Sequence, residues 1–153
     1  MELAGLMDVL AEANARAGKT FYEVSIVAKD DQIIRCASGL RVMPDFAFDS
    51  APGGPDTLLV AGSVGVPRAQ DRLVIKWLTR TVPQTRRYGS VCTGAFVLRE
   101  AGLLKSRRVA THWQFASLLA KRFPEARVEG CRRTRPLTLN RFVWFQSVPA
   151  SLS

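Results

Sequence analysis

Apolar and polar positions divide the chain into short strand-like runs separated by helix-like stretches. Leu3, Leu6, Met7 and Leu10 recur at helical spacing in an alanine-rich segment that stops at Gly18, which predicts a helix over 3–17. Phe21–Ala28 is rich in aromatic and β-branched residues and predicts a strand. Asp30-Asp31 makes a turn, and Ile33–Cys36 and Leu40–Met43 flank Ser38-Gly39 as two shorter strands. After the loop Ala51–Pro55, Asp56–Val60 is a compact apolar run of the kind buried in a parallel sheet. A helix is predicted over 70–81, with Leu73, Val74, Trp77 and Leu78 on one face. Tyr88–Val91 reads as a short strand leading into Cys92, and 93–101 as a helix that stops at Gly102. Arg107–Ala110 is a further short strand. Residues 113–123 form a helical pattern, with Trp113, Phe115, Ala116, Leu119 and Phe123 apolar and Pro124 beyond its end.

Strands alternating with helices imply an α/β fold whose mostly parallel sheet is covered on both faces. Ligands of such sheets bind at the carboxyl ends of the strands. Two loops hold that position, Ala61–Gly65 and Cys92-Thr93-Gly94. Past Glu129 the pattern changes. Gly130–Pro136 has no useful period, Arg141–Phe145 has the make-up of a strand, and no final helix is legible before Ser153. The chain therefore divides into 1–129 and a basic segment, 130–153.

Composition narrows the classes. A length of 153 residues suits one domain, and 47% hydrophobic with 23% charged residues is ordinary for a soluble globular protein. No run approaches the roughly 18 apolar residues of a membrane span. The opening Met1–Gly5 carries an acid and no basic n-region of a signal peptide, so the expected compartment is the cytoplasm. Cys36, Cys92 and Cys131 form neither a disulfide framework nor a zinc motif. His112 is the single histidine, which excludes a multi-histidine metal site, and no metal or cofactor is expected. The net charge of +9 collects largely between Lys121 and Arg141, and reads as a solvated face rather than a nucleic-acid surface.

Candidate chemistry gathers in Ser90–Leu98, where an apolar strand runs into a helix with almost no loop. A cysteine on such an elbow is held exposed on strained backbone. The first amides of the helix favour a thiolate and can receive an oxyanion. Gly94 permits close backbone approach, and the neighbouring Gly62-Ser63 turn offers a second donor. His112 also lies at a strand end and is the one imidazole base available, or else a packed or capping residue beside Trp113. Glu2 opens the first helix, either facing the same pocket or serving as an ordinary first-turn acid.

Ser90–Phe96, followed by Glu100-Ala101-Gly102-Leu103-Leu104 and then Ala110-Thr111-His112-Trp113, resembles the ThiJ/PfpI superfamily of class I glutamine amidotransferase-like domains. Within it, the resemblance is to the branch of isonitrile hydratase and of the N-terminal domain of GlxA-type AraC regulators. Leu3–Leu10 with Ala13-Asn14, Ser38-Gly39-Leu40 and Asp56–Gly62 fit the same branch, and the likeness spans about residues 2–129. It implies a flavodoxin-like three-layer sandwich, usually dimeric, with Cys92 as the elbow cysteine. Glu2 falls where the family places an acid that hydrogen-bonds the sulfur. In the hydratase that acid and the residue after the cysteine, here Glu2 and Thr93, are implicated in catalysis.

This chain departs from the pattern in several places. Met1 directly precedes Glu2 where the family has an apolar strand. Leu6 replaces a usual proline, and Gly62-Ser63 replaces Gly-Gly. An Arg-rich stretch stands where the family has a strand, a Thr-Ser-Ala-Gly turn and a final helix, which points to a reading-frame disturbance between about Gly130 and Asn140. No helix-turn-helix region follows. The expected architecture thus lacks the usual first strand and final helix. The expected function is the small-molecule-sensing part of an AraC-type regulator without its DNA-binding domain. The alternatives are a cysteine-dependent enzyme such as isonitrile hydratase or a related hydrolase, and a redox-responsive thiol protein. Catalytic candidates are Cys92, Glu2, Thr93 and His112, and ligand or oxyanion candidates are Gly62, Ser63, Thr93 and Gly94. The expected partners are a small molecule and a second copy of the chain, with no membrane, and DNA only through the absent helix-turn-helix domain.

Overall fold

The structure, a computed structural model, describes residues 2–62, 71–130 and 143–146. Helix α1 (Glu2–Ala17) is followed by strands β1 (Ile26–Ala28), β2 (Ile34–Arg35), β3 (Arg41–Val42), β4 (Phe46–Ala47) and β5 (Thr57–Ala61). Helix α2 (Arg72–Thr81), strand β6 (Arg87–Val91), helix α3 (Gly94–Glu100), strand β7 (Arg108–Thr111), helix α4 (Trp113–Arg122) and strands β8 (Arg127–Gly130) and β9 (Val143–Gln146) complete it. The main sheet has the order β4-β1-β9-β5-β6, and every pairing within it is parallel. β7 and β8 form a separate parallel pair, and β2–β3 an antiparallel hairpin.

Alternation along the buried strands sorts side chains to two faces. Leu58 and Val60 of β5 join a cluster with Val74 and Leu78 of α2, Phe96 and Leu98 of α3, and Leu119 of α4. Leu59 and Ala61 join the other cluster, with Leu3 and Leu10 of α1 and with Ile34. Helices therefore contribute to both faces, and the predicted α/β architecture with a mostly parallel sheet is observed.

Several elements differ from the sequence pattern, each for a local reason. Only Ile26–Ala28 of the predicted 21–28 strand is paired. Asn14 Oδ1 accepts from the amides of Phe21 (2.8 Å) and Tyr22 (2.9 Å), and Asn14 Nδ2 donates to the Tyr22 carbonyl (2.7 Å). The side chain thus takes the backbone groups a ladder would have used. β4 and β8 were not predicted. β4 is two residues long, too short for alternation to register. Leu73, expected on the buried face of α2, is 59% exposed, because the helix starts at the Asp71 cap and turns Val74, Trp77 and Leu78 inward. Trp113, expected among the apolar face of α4, is 70% exposed at the first position of that helix, whereas Phe123 is buried.

β9 lies between β1 and β5, with Trp144 opposite both Ile26 and Leu59. It comes from the Arg141–Phe145 run that reads as a strand in the sequence. The flavodoxin-like order 2-1-3-4-5 places the first strand of the fold in this slot. The Gly130–Asn140 stretch, with its expected frame disturbance, falls almost wholly outside the described residues.

Candidate functional site

The register of the two parallel strands β5 and β6 sets Ala61 opposite Val91. Gly62 and Cys92, the next residues, therefore leave the sheet side by side at its carboxyl edge. β6 ends at Val91 and α3 begins at Gly94, so the strand-to-helix turn is Cys92-Thr93. Cys92 has a φ of 57°, in the left-handed region that non-glycine residues seldom adopt, and its side chain is half-buried. Thr93 is 1% exposed.

Two glycines seat this turn on the end of β5. A Cβ at Gly62 would collide with Thr93 Oγ1 and the Gly94 nitrogen. A Cβ at Gly94 would collide with the Val60 carbonyl oxygen. Gly62 and Gly94, proposed from the sequence as ligand-contacting residues, thus have a visible packing duty: they let two backbones touch. α3 contributes its first-turn amides at the turn, but it is only seven residues long, which limits its summed dipole.

Thr111, part of the Ala110-Thr111-His112-Trp113 motif but not among the site candidates, ties the turn to the second sheet. Thr111 of β7 is 3% exposed, and its Oγ1 donates to the Cys92 carbonyl at 2.8 Å. In the burial pattern of β7, Val109 and Thr111 point inward. A hydroxyl at an inward strand position needs a partner, and that was the available signal.

His112 follows directly and caps α4. Its Nδ1 accepts from the Gln114 amide at 3.3 Å, so in the neutral ring the proton sits on Nε2. Its ring lies 5.5 Å from that of Trp113 and 6.0 Å from that of Phe115. Of the two sequence readings of this histidine, the capping role is the one visible in these contacts. The structure thus brings together Cys92, Thr93, Gly94 and Gly62, with Thr111 reaching the Cys92 carbonyl from β7, whereas the contacts of His112 are with Trp113, Gln114 and Phe115 of α4. Glu2 opens α1, but its side chain, like Ser63, lies outside the described residues. Among the described residues no group of three or more His, Cys, Asp or Glu is placed to hold a metal ion. No helix among them is long and apolar enough to cross a membrane.

A cleft of about 480 Å³ lies elsewhere, at the amino ends of β1 and β5, between Phe21, Tyr22, Glu23, Phe46 and Trp77. It is remote from the cysteine turn along the strands. Parallel α/β sheets place ligands at the carboxyl edge, and the strained cysteine is there. We therefore centre the candidate site on the turn.

A parallel α/β sheet with a cysteine on a left-handed strand-to-helix turn defines the class of protein. The chain belongs to the DJ-1/PfpI family, whose sequence profile matches residues 1–132. It is 32% identical over 142 residues to the HTH-type transcriptional regulator GbdR of Pseudomonas aeruginosa, covering 93% of this chain and 38% of that protein. It is 34% identical over 120 residues to the isonitrile hydratase of Pseudomonas putida, covering 78% of this chain and 50% of that one. The crystal structure of a ThiJ/PfpI family protein from Pseudomonas syringae superposes with a TM-score of 0.66 at 22% identity, covering 94% of this chain and 58% of that one. The chain thus spans well under two thirds of the length of these relatives.

Proposed function

We propose that this chain is the small-molecule-sensing part of an AraC-type transcriptional regulator, with its ligand received at the carboxyl edge of the sheet beside Cys92. One observation carries the reading. Nearly the whole chain aligns with a part, 38%, of a transcriptional regulator, so it corresponds to one section of such a protein. In this reading Thr93, Gly94 and Gly62 form the floor of the site, and Glu2 and Ser63 are further proposed ligand contacts. DNA contact belongs to a helix-turn-helix domain, and a homodimer is expected, which the sedimented mass of the purified chain checks.

The second reading is a cysteine-dependent hydratase, favoured by the left-handed backbone of Cys92 and the likeness to isonitrile hydratase. There the Cys92 thiolate attacks the terminal carbon of an isonitrile. Water then displaces the sulfur, and the product is the N-substituted formamide, with Glu2 or His112 moving the proton. The engagement of His112 Nδ1 as a helix cap and the burial of the Thr93 side chain weigh towards sensing.

The test is to incubate the purified protein with cyclohexyl isocyanide and, separately, to follow its melting temperature across a panel of small amines, amino acids and carboxylic acids. A sensor gives a concentration-dependent rise in melting temperature with one ligand class and no formamide. Formamide production that Cys92→Ser abolishes overturns the sensing reading in favour of the enzyme.

A further inference from the structure

We propose that two copies of the chain join through the outer edge of β2, paired antiparallel about a two-fold axis at Ile33. The inference rests on the homodimer expected above and is independent of whether Cys92 senses or catalyses. Among the described strands β2 pairs only with β3, so its other edge keeps a row of backbone donors and acceptors outside any ladder. Ile34 and Val42 turn inward, onto the cluster that holds Leu3 and Leu10 of α1. Alternation sends Ile33, Arg35, Arg41 and Met43 the other way, and all four are exposed, Ile33 by 51% and Met43 by 68%. The hairpin thus presents an apolar centre with arginines towards its tip.

Two features of the charge pattern select a second copy as the partner. Arg35 lies directly opposite Arg41 across the hairpin. Like charges so placed weaken a strand pair. Among the described residues, neither arginine has an ion pair with an acid. The second feature is a change of sign. Charges that guard a strand edge repel its copy, but those of β2 reverse across Ile33, with Asp31 two residues before it and Arg35 two residues after. A strand paired antiparallel with its own copy brings together residues equally distant from the axis on either side. Asp31 of each copy then meets Arg35 of the other, and Ile33 meets Ile33. A carboxylate reaches each arginine pair. Parallel pairing would set Asp31 against Asp31 and Arg35 against Arg35, so charge selects the two-fold arrangement. In the single chain the ladder stops at Ile34, and Asp31 and Gln32 form a bend in which the Gln32 amide donates to Asp30 Oδ1 at 3.2 Å. Pairing extends β2 back through this bend.

The test is charge exchange, read by sedimentation equilibrium of the full chain over a concentration series, with melting curves to check the fold of each variant. Asp31→Arg sets like charges at both contacts, and so does Arg35→Asp. Each is expected to weaken the wild-type dimer by about tenfold or more. Equimolar mixing of the two variants restores opposite charges at both contacts, and a heterodimer about as tight as the wild-type dimer is expected. A second measurement needs no variant: amide exchange over residues 31–35 of the wild-type chain slows as the protein concentration rises through dimerisation.

A dimer that both variants leave intact puts the interface elsewhere and overturns the proposal while sparing the homodimer. A mixture that stays monomeric overturns it, and so does exchange over 31–35 that is independent of concentration. A wild-type chain that is monomeric throughout overturns both the homodimer and this interface.

Discussion

Cys92 holds a φ of 57°, a conformation that costs an L-residue roughly 1–2 kcal/mol. Glycine bears no such cost. Cys92→Gly is therefore expected to be more stable than Cys92→Ala by about 1 kcal/mol in urea unfolding, and equal stabilities would show that the turn relaxes when the sulfur is removed. Gly62 shows the reverse. A methyl there meets the Thr93 hydroxyl and the Gly94 nitrogen, so Gly62→Ala is expected to cost about 1–3 kcal/mol, read as a lowered melting temperature. A Gly62→Ala protein as stable as wild type would mean that the turn is not seated on β5 as described. The Cys92 turn was legible in the sequence because strand, cysteine and helix are contiguous there. The Thr111 hydrogen bond to the Cys92 carbonyl was not, because it joins residues 19 positions apart whose adjacency depends on the tertiary fold.

At the scale of elements, Asn14 decides where β1 begins. Its side chain serves three backbone groups of Phe21 and Tyr22, so one residue of α1 holds the incoming strand. Asn14→Ala is expected to lose about 1–3 kcal/mol, with faster amide exchange at Phe21 and Tyr22 and little change in α4. Uniform loosening would show that the contact is not local. The same contact explains why the Phe21–Ala28 run overstates its strand: composition reports a preference for extended backbone, not which partner takes its hydrogen bonds. Elements with strong periodicity, α1, α2, β5 and α4, were legible to within about two residues. Two individual positions misled. Leu73 and Trp113 fit an apolar stripe by spacing, yet each sits within the first two residues of its helix, where the stripe has already turned out of the core.

For the whole molecule, β9 decides whether the main sheet is one object. It pairs with β1 on one side and β5 on the other, and without it the described ladder separates into β4-β1 and β5-β6. Proline lacks the amide that a central strand donates. Trp144→Pro is expected to cost about 3 kcal/mol or more and to broaden the unfolding transition as the two halves melt apart. A sharp transition at the wild-type midpoint would show that β9 is dispensable. The strand-like composition of Arg141–Phe145 was legible, but its place in the centre was not, because nothing local in a four-residue run names its neighbours. The placement also bears on how the chain is made. Among the described strands, the middle of the sheet is the last in chain order and so the last to leave the ribosome. Until it arrives, β1 and β5, both buried in the finished fold, are open parallel edges. Such edges attract other nascent chains and holding chaperones alike. Pairing of β9 covers both edges at once, so the strand that joins the sheet also shields it.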